Sequence, residues 1–173
     1  MKDLAQFVIP FGGLKPGKHQ FEFEIDESFF KHFEYSQVKQ GQIHVHADLE
    51  KEETLLVFSF RLEGMVVVTC DLCNEPLEAE VKGTEQLIVK FGPDYHEESE
   101  TVQVIPEGDK KIDLSPFLYE YVHLLLPVRR VHPPDAEGNP SCDPEILKRM
   151  DTRPASVETD PRWDVLKQLK TKN

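Results

Sequence analysis

Residues 65–77, Met65-Val66-Val67-Val68-Thr69-Cys70-Asp71-Leu72-Cys73-Asn74-Glu75-Pro76-Leu77, set the reading of the whole chain. The β-branched run before the cysteines suits a pleated strand, and after them Leu77, Ala79 and Val81 alternate with Glu78, Glu80 and Lys82, the period of a half-buried strand. Strand, tight turn, strand follows, with both thiols near the bend. Two thiols two residues apart hold a thiophilic metal, close a redox disulfide, or sit reduced in a plain hairpin. A redox pair of the thioredoxin kind opens a helix, whose N-terminal dipole lowers the attacking thiol's pKa, and no helix follows here. Asp71 between the sulfurs is expected to raise a thiolate's pKa, which also counts against a nucleophile. A turn of this kind can instead aim backbone N–H groups at sulfur, as zinc knuckles do. The metal reading leads, and the reduced hairpin stands beside it.

Upstream the same two-residue period recurs. Leu4 to Ile9 reads as a short strand closed by the turn Pro10-Phe11-Gly12-Gly13, with Lys15-Pro16-Gly17 as a second turn. His19, Phe21, Phe23 and Ile25 alternate with polar residues. Asp26-Glu27-Ser28 offers helix N-caps ahead of Phe29, Phe30 and Phe33, so a short helix should lay aromatics on the sheet. Ile43, Val45 and Ala47 face one way and His44 and His46 the other, a pair read as a solvated strand face. Thr54 to Leu62 forms a central strand, with Gly64 marking the reversal into Val66 to Thr69.

Downstream, Gly83 separates the post-cysteine strand from Leu87-Ile88-Val89-Lys90-Phe91. Residues 92–100 read as an exposed acidic loop, and Thr101 to Ile105 as another strand. Short polar connections imply an antiparallel meander or sandwich-like core, since a parallel crossover takes a dozen or more residues. Ser115 caps and Pro116 opens a helix whose Leu118, Tyr121, Val122, Leu125 and Leu126 cover one sheet face up to Pro127. Beyond it the prolines thicken into an extended segment, with a helical turn or two over Pro144 to Met150. Asp160-Pro161-Arg162-Trp163 then opens a short amphipathic helix carrying the only tryptophan. The fold class is α+β, with a mainly β body over 1–127 and an appendage over 128–173.

The chain has 173 residues, 39% hydrophobic and 30% charged, which describes a globular domain that needs no covalent staples. Three cysteines without an apolar export segment argue against a disulfide framework, and no apolar run approaches a membrane span. A cytoplasmic protein without membrane contact is expected. The net charge of -12 opposes broad contact with a phosphate backbone and favours a basic protein partner. A local cationic spot, Val128-Arg129-Arg130-Val131-His132, could still meet RNA phosphates at Arg129 and Arg130 or complement a helix C-terminus.

Val68-Thr69-Cys70-Asp71-Leu72-Cys73-Asn74-Glu75-Pro76-Leu77, Ile112-Asp113-Leu114, Leu124-Leu125-Leu126-Pro127 and Asp160-Pro161-Arg162-Trp163, in that order, resemble the YceD-like family of large-subunit ribosomal RNA accumulation proteins. The resemblance spans roughly residues 64–127 plus the tail. It implies a ribosome-biogenesis factor without catalytic activity, working with a ribosomal protein or a pre-ribosomal particle. Many relatives carry a second cysteine pair after the Leu-Pro helix end, completing a four-thiolate zinc site. This chain departs from that pattern and offers only Cys142, with His132 the nearest imidazole. Cys70, Cys73, Cys142 and His132 would make a Cys3His structural zinc site if the post-helix segment folds back over the cysteine hairpin.

Three functions therefore compete. The first is a non-enzymatic assembly factor that contacts ribosomal RNA through Arg129 and Arg130. The second is an acidic adaptor for a basic ribosomal protein, anchored by Trp163. The third and weakest is a thiol oxidoreductase, because no phosphate-cradling loop, metalloprotease helix or nucleophile elbow is present.

Overall fold

A computed structural model describes residues 4–139 and 141–151. Its strands are β1 (Val8–Ile9), β2 (Gly17–Ile25), β3 (Gln40–Lys51), β4 (Leu55–Thr69), β5 (Pro76–Gly92), β6 (His96–Ser99), β7 (Val102–Pro106) and β8 (Ile112–Asp113). Its helices are α1 (Glu27–Phe30), α2 (Ser115–Leu124) and α3 (Pro144–Asp151). Six strands form one sheet in the order β2-β3-β4-β5-β7-β6, and β1 pairs with β8 in a separate ribbon. The α+β class is as expected. Among the described residues no helix is long and apolar enough to cross a membrane.

The alternation read in the sequence decides which sheet face is covered. Ile43, Val45, Ala47 and Leu49 on β3, and Leu56, Phe58, Phe60 and Leu62 on β4, are all buried. α1, α2 and the β1–β8 ribbon close over them: Phe7 lies 5.5 Å from Phe23, and Phe60 5.5 Å from Tyr121, between ring centroids. His44 and His46 lie on the opposite, open face beside Glu24 and Glu22. Burying one aromatic row this way contributes about 1.5–3 kcal/mol per side chain.

Gly64 does not reverse the chain, and Gly83 does not separate two strands. Gly64 lies inside β4, between Ile43 of β3 and Val81 of β5, and Gly83 lies inside β5 opposite Leu62. Both point toward the covered face, where space is short. A Cβ on Gly64 would strike the Gln42 carbonyl and come within 2.6 Å of the Ile43 Cα, and one on Gly83 would strike the Leu125 side chain. These residues are glycine for close approach, so four expected strands become two long ones.

The meander is also not wholly antiparallel. Within the segment read as an exposed loop, residues 96–99 form the edge strand β6, and β7 returns between β6 and β5, pairing in parallel with β5. The crossover is short because β6 runs back outside β7 and no covering helix is needed. At the N-terminus a 3-10 turn over Leu4–Phe7 takes most of the expected first strand. α2 ends at Leu124, three residues before Pro127, and its first turn is capped by Asp113 instead of Ser115: Oδ1 of Asp113 accepts from Ser115 N–H at 2.9 Å and from its hydroxyl at 2.6 Å. The helix expected at residues 160–169, with Trp163, lies outside the described residues.

Candidate metal centre

β4 ends at Thr69 and β5 opens at Pro76, directly opposite each other, so the cysteine turn is the hairpin bend. Cys70 N–H donates to the Glu75 carbonyl at 2.9 Å and Asn74 N–H to the Cys70 carbonyl at 3.0 Å. Asn74 takes φ 60°, the left-handed conformation that asparagine tolerates better than most residues. This curl points the N–H groups of Leu72 and Cys73 at the Cys70 sulfur. Burial pushes the Cys70 thiol up, but those N–H groups, with that of His132 and the Cys73 thiol, outweigh it and bring its pKa down to about 6. The expectation that Asp71 would raise it fails because the carboxylate turns away. Both its oxygens face Arg130, whose N–H donates to Oδ2 at 2.8 Å and whose guanidinium donates to Oδ1 at 3.1 Å.

That contact brings the post-helix segment back over the hairpin. Asp71 N–H donates to the Arg130 carbonyl at 2.7 Å, and Arg130 also reaches Gln37 at 3.1 Å. Arg130 is therefore committed to holding the segment in place. Arg129 next to it is exposed and has no ion-pair partner among the described residues. His132 follows, and Cys142 returns to the same point ten residues later. The return is a turn built on Asp135, whose Oδ1 accepts from the N–H of Glu137 at 2.9 Å and of Asn139 at 2.8 Å, with Gly138 at φ 86°. The prolines predict an extended stretch here, whereas Asp135-Ala136-Glu137-Gly138-Asn139 carries a turn signal within it. Asp143 then caps α3, accepting from Glu145 N–H at 2.8 Å, so Cys142 sits at the helix entrance.

Cys70, Cys73, His132 and Cys142 thus converge, with one ligand atom of each within 4.8 Å of all the others. Cys70 Sγ lies 3.7 Å from Cys142 Sγ, and His132 Nδ1 lies 3.4 Å from Cys73 Sγ and 3.6 Å from Cys142 Sγ. A tetrahedral zinc with sulfur at about 2.3 Å and nitrogen at about 2.0 Å places sulfurs about 3.8 Å apart and sulfur–nitrogen pairs about 3.5 Å apart. These three edges of the six fit that figure, and the rest lie within 4.8 Å. The Cys70–Cys142 separation of 3.7 Å is far too long for a disulfide, whose sulfurs lie about 2.05 Å apart.

The surroundings suit the same chemistry. The three cysteines are buried, 0–4% exposed, among Leu72, Leu77, Val131, Ile146 and Leu147, which shields the sulfurs from bulk water. His132 Nε2 donates to the Pro76 carbonyl at 3.1 Å, which leaves the Nδ1 lone pair facing the sulfurs, the tautomer and orientation a ligand needs. Burial, then hydrogen bonding and charge from Cys70 and Cys73, push the Cys142 thiol up to about 11. Three thiols crowded together cannot all ionise unless a cation joins them.

A family model described as large ribosomal RNA subunit accumulation protein YceD matches residues 58–170, which takes in the cysteine turn, His132, Cys142 and Trp163. No curated protein and no solved structure matches the chain.

Proposed function

The chain belongs to the YceD family of large ribosomal RNA subunit accumulation proteins, and from that membership we propose that it is a non-enzymatic factor in large-subunit biogenesis, shaped by a structural zinc. The observation supporting the metal is the convergence of Cys70, Cys73, His132 and Cys142 within 4.8 Å, with three of the six edges at tetrahedral length. Bound zinc would cross-link the hairpin of the 1–127 body to the 128–173 appendage. The appendage then presents Arg129 to a ribosomal RNA or protein surface, while Arg130 positions it from behind. An oxidoreductase is poorly served by this arrangement, because a nucleophilic thiol must be reached by its substrate and Cys70 is 0% exposed.

The test is complementation. In cells depleted of the protein, the wild-type chain restores large-subunit ribosomal RNA, while Cys70→Ser and Cys142→Ser chains fall short. Unaltered ribosomal RNA on depletion would remove the biogenesis role; full rescue by both serine variants would remove the metal from it. The adaptor reading is favoured by the net charge of -12. It predicts that a basic ribosomal protein stays bound after nuclease treatment.

A further inference from the structure

β4 runs from Leu55 to Thr69, a span of roughly 45 Å at about 3.3 Å per residue, and at the end away from the cysteines there is a cleft of about 440 Å³. One aromatic ring lines it: Phe91 is half-buried, and its ring lies 5.7 Å from that of Phe11, which is buried in the core behind it. Its rim is acidic. Glu52 and Glu53 come from the β3–β4 turn, and Glu107 and Asp109 from the turn after β7. None of these four carboxylates has an ion-pair partner among the described residues. The one cation in the lining, Lys51, is already used, its Nζ donating to the Phe11 and Leu14 carbonyls at 2.8 Å each.

The chemistry of an occupant follows from how these groups are spread. Among the described residues the cysteine–histidine set is the only group of three or more such side chains close enough to share an ion, so the rim carboxylates do not converge as a set on a metal. Separated carboxylates around the half-buried Phe91 ring suit an organic cation on an aliphatic stem, which lays its methylenes against that ring and its charged head among the acids. Guanidinium fits better than ammonium because its flat face stacks while its edge donates to several oxygens.

We propose that this cleft receives an arginine or lysine side chain from a basic, extended segment of a protein partner. The net charge of -12 would draw such a segment in, and the cleft beside Phe91 gives the encounter a place to settle. The site stands apart from the metal centre and does not depend on it.

The test uses the full chain and a labelled peptide of alternating arginine and glycine, with binding followed by fluorescence anisotropy at low and physiological salt. Neutralising Glu53, Glu107 and Asp109 together (Glu53→Gln, Glu107→Gln, Asp109→Asn) should weaken binding about tenfold, since each solvated pair contributes little singly. The same charge change on the open sheet face (Glu22→Gln, Glu78→Gln, Glu80→Gln) should have at most a small effect. Phe91→Leu removes the ring but keeps an apolar side chain, and should narrow the preference for arginine over lysine peptides. Equal weakening by both triple variants would reduce the effect to net charge and overturn the proposal. So would unchanged binding in the cleft variant, or a free triamine that binds as tightly as the peptide.

Discussion

Asp71 and Arg130, 59 positions apart, clasp each other through backbone and side chain alike: Asp71 N–H donates to the Arg130 carbonyl at 2.7 Å, Arg130 N–H returns to Asp71 Oδ2 at 2.8 Å, and the guanidinium closes on Oδ1 at 3.1 Å. The clasp fixes where the segment after α2 crosses the cysteine turn, and so where His132 and Cys142 arrive.

Asp71→Asn should loosen that crossing while leaving the sheet intact. The measurement is amide hydrogen exchange, which should quicken over residues 128–142 and stay slow in β3 to β5. The Arg130 backbone N–H, then the Arg130 charge and guanidinium hydrogen bond, hold the Asp71 carboxyl below the usual range against a smaller push from burial. A lowered folded-state pKa means the clasp stabilises at and above the ordinary carboxylate range and is lost as pH falls through the depressed value. The wild-type segment should therefore loosen only in stronger acid, a step missing from the asparagine variant.

Metal uptake should release protons at neutral pH. With its pKa near 6, Cys70 is already a thiolate at pH 7, whereas Cys142, near 11, still holds its proton. Binding must displace the Cys142 proton, so zinc added to metal-free protein in weak buffer should acidify it, and affinity should fall steeply below about pH 6. In the metal-free chain the depressed Cys70 pKa adds stability that is complete above the ordinary thiol value and fades as pH drops through about 6. The raised Cys142 pKa adds stability that fades as pH climbs through about 11. Thiolate ultraviolet absorbance of the Cys142→Ser chain isolates the lower step.

Chelation should act locally. Structural zinc can contribute on the order of 10–16 kcal/mol in small zinc domains, but here an extensive apolar core stands without it. A chelator should release the segment after Pro127 to limited proteolysis and leave the β body resistant. Simultaneous loss of both would mean that the core depends on the metal.

Gly64→Ala should cost about 1–3 kcal/mol, because the new methyl meets β3 backbone that cannot move aside. Gly13→Ala, with nothing within 4 Å of the added carbon, should stay within about 0.5 kcal/mol. Urea midpoints of the two variants compare them directly.

The covered face of the sheet was legible because burial on one side imposes a two-residue period, and Ile43, Val45, Phe58 and Phe60 obey it. The cysteine bend was legible for the same reason, from the strands on either side. Gly64 and Gly83 misled because a glycine that admits a neighbouring backbone or Leu125 looks, in one dimension, like a glycine that turns the chain. Pairing partners were hidden too. Nothing local to β7 says that it returns between β5 and β6, and nothing near Arg130 names Asp71, 59 residues back. His132 and Cys142 could be nominated as donors, but their meeting depends on the Asp135 turn, whose role shows only in three dimensions. The acidic cleft is assembled from turns far apart in sequence and left no linear motif.

Metal content of the full chain, purified under reducing conditions without chelator, tests the account most directly. One zinc per chain is the expected result, falling away in Cys142→Ser protein that keeps the wild-type β spectrum. Reduced, folded wild-type protein that carries no metal and takes up none when zinc is supplied would contradict it.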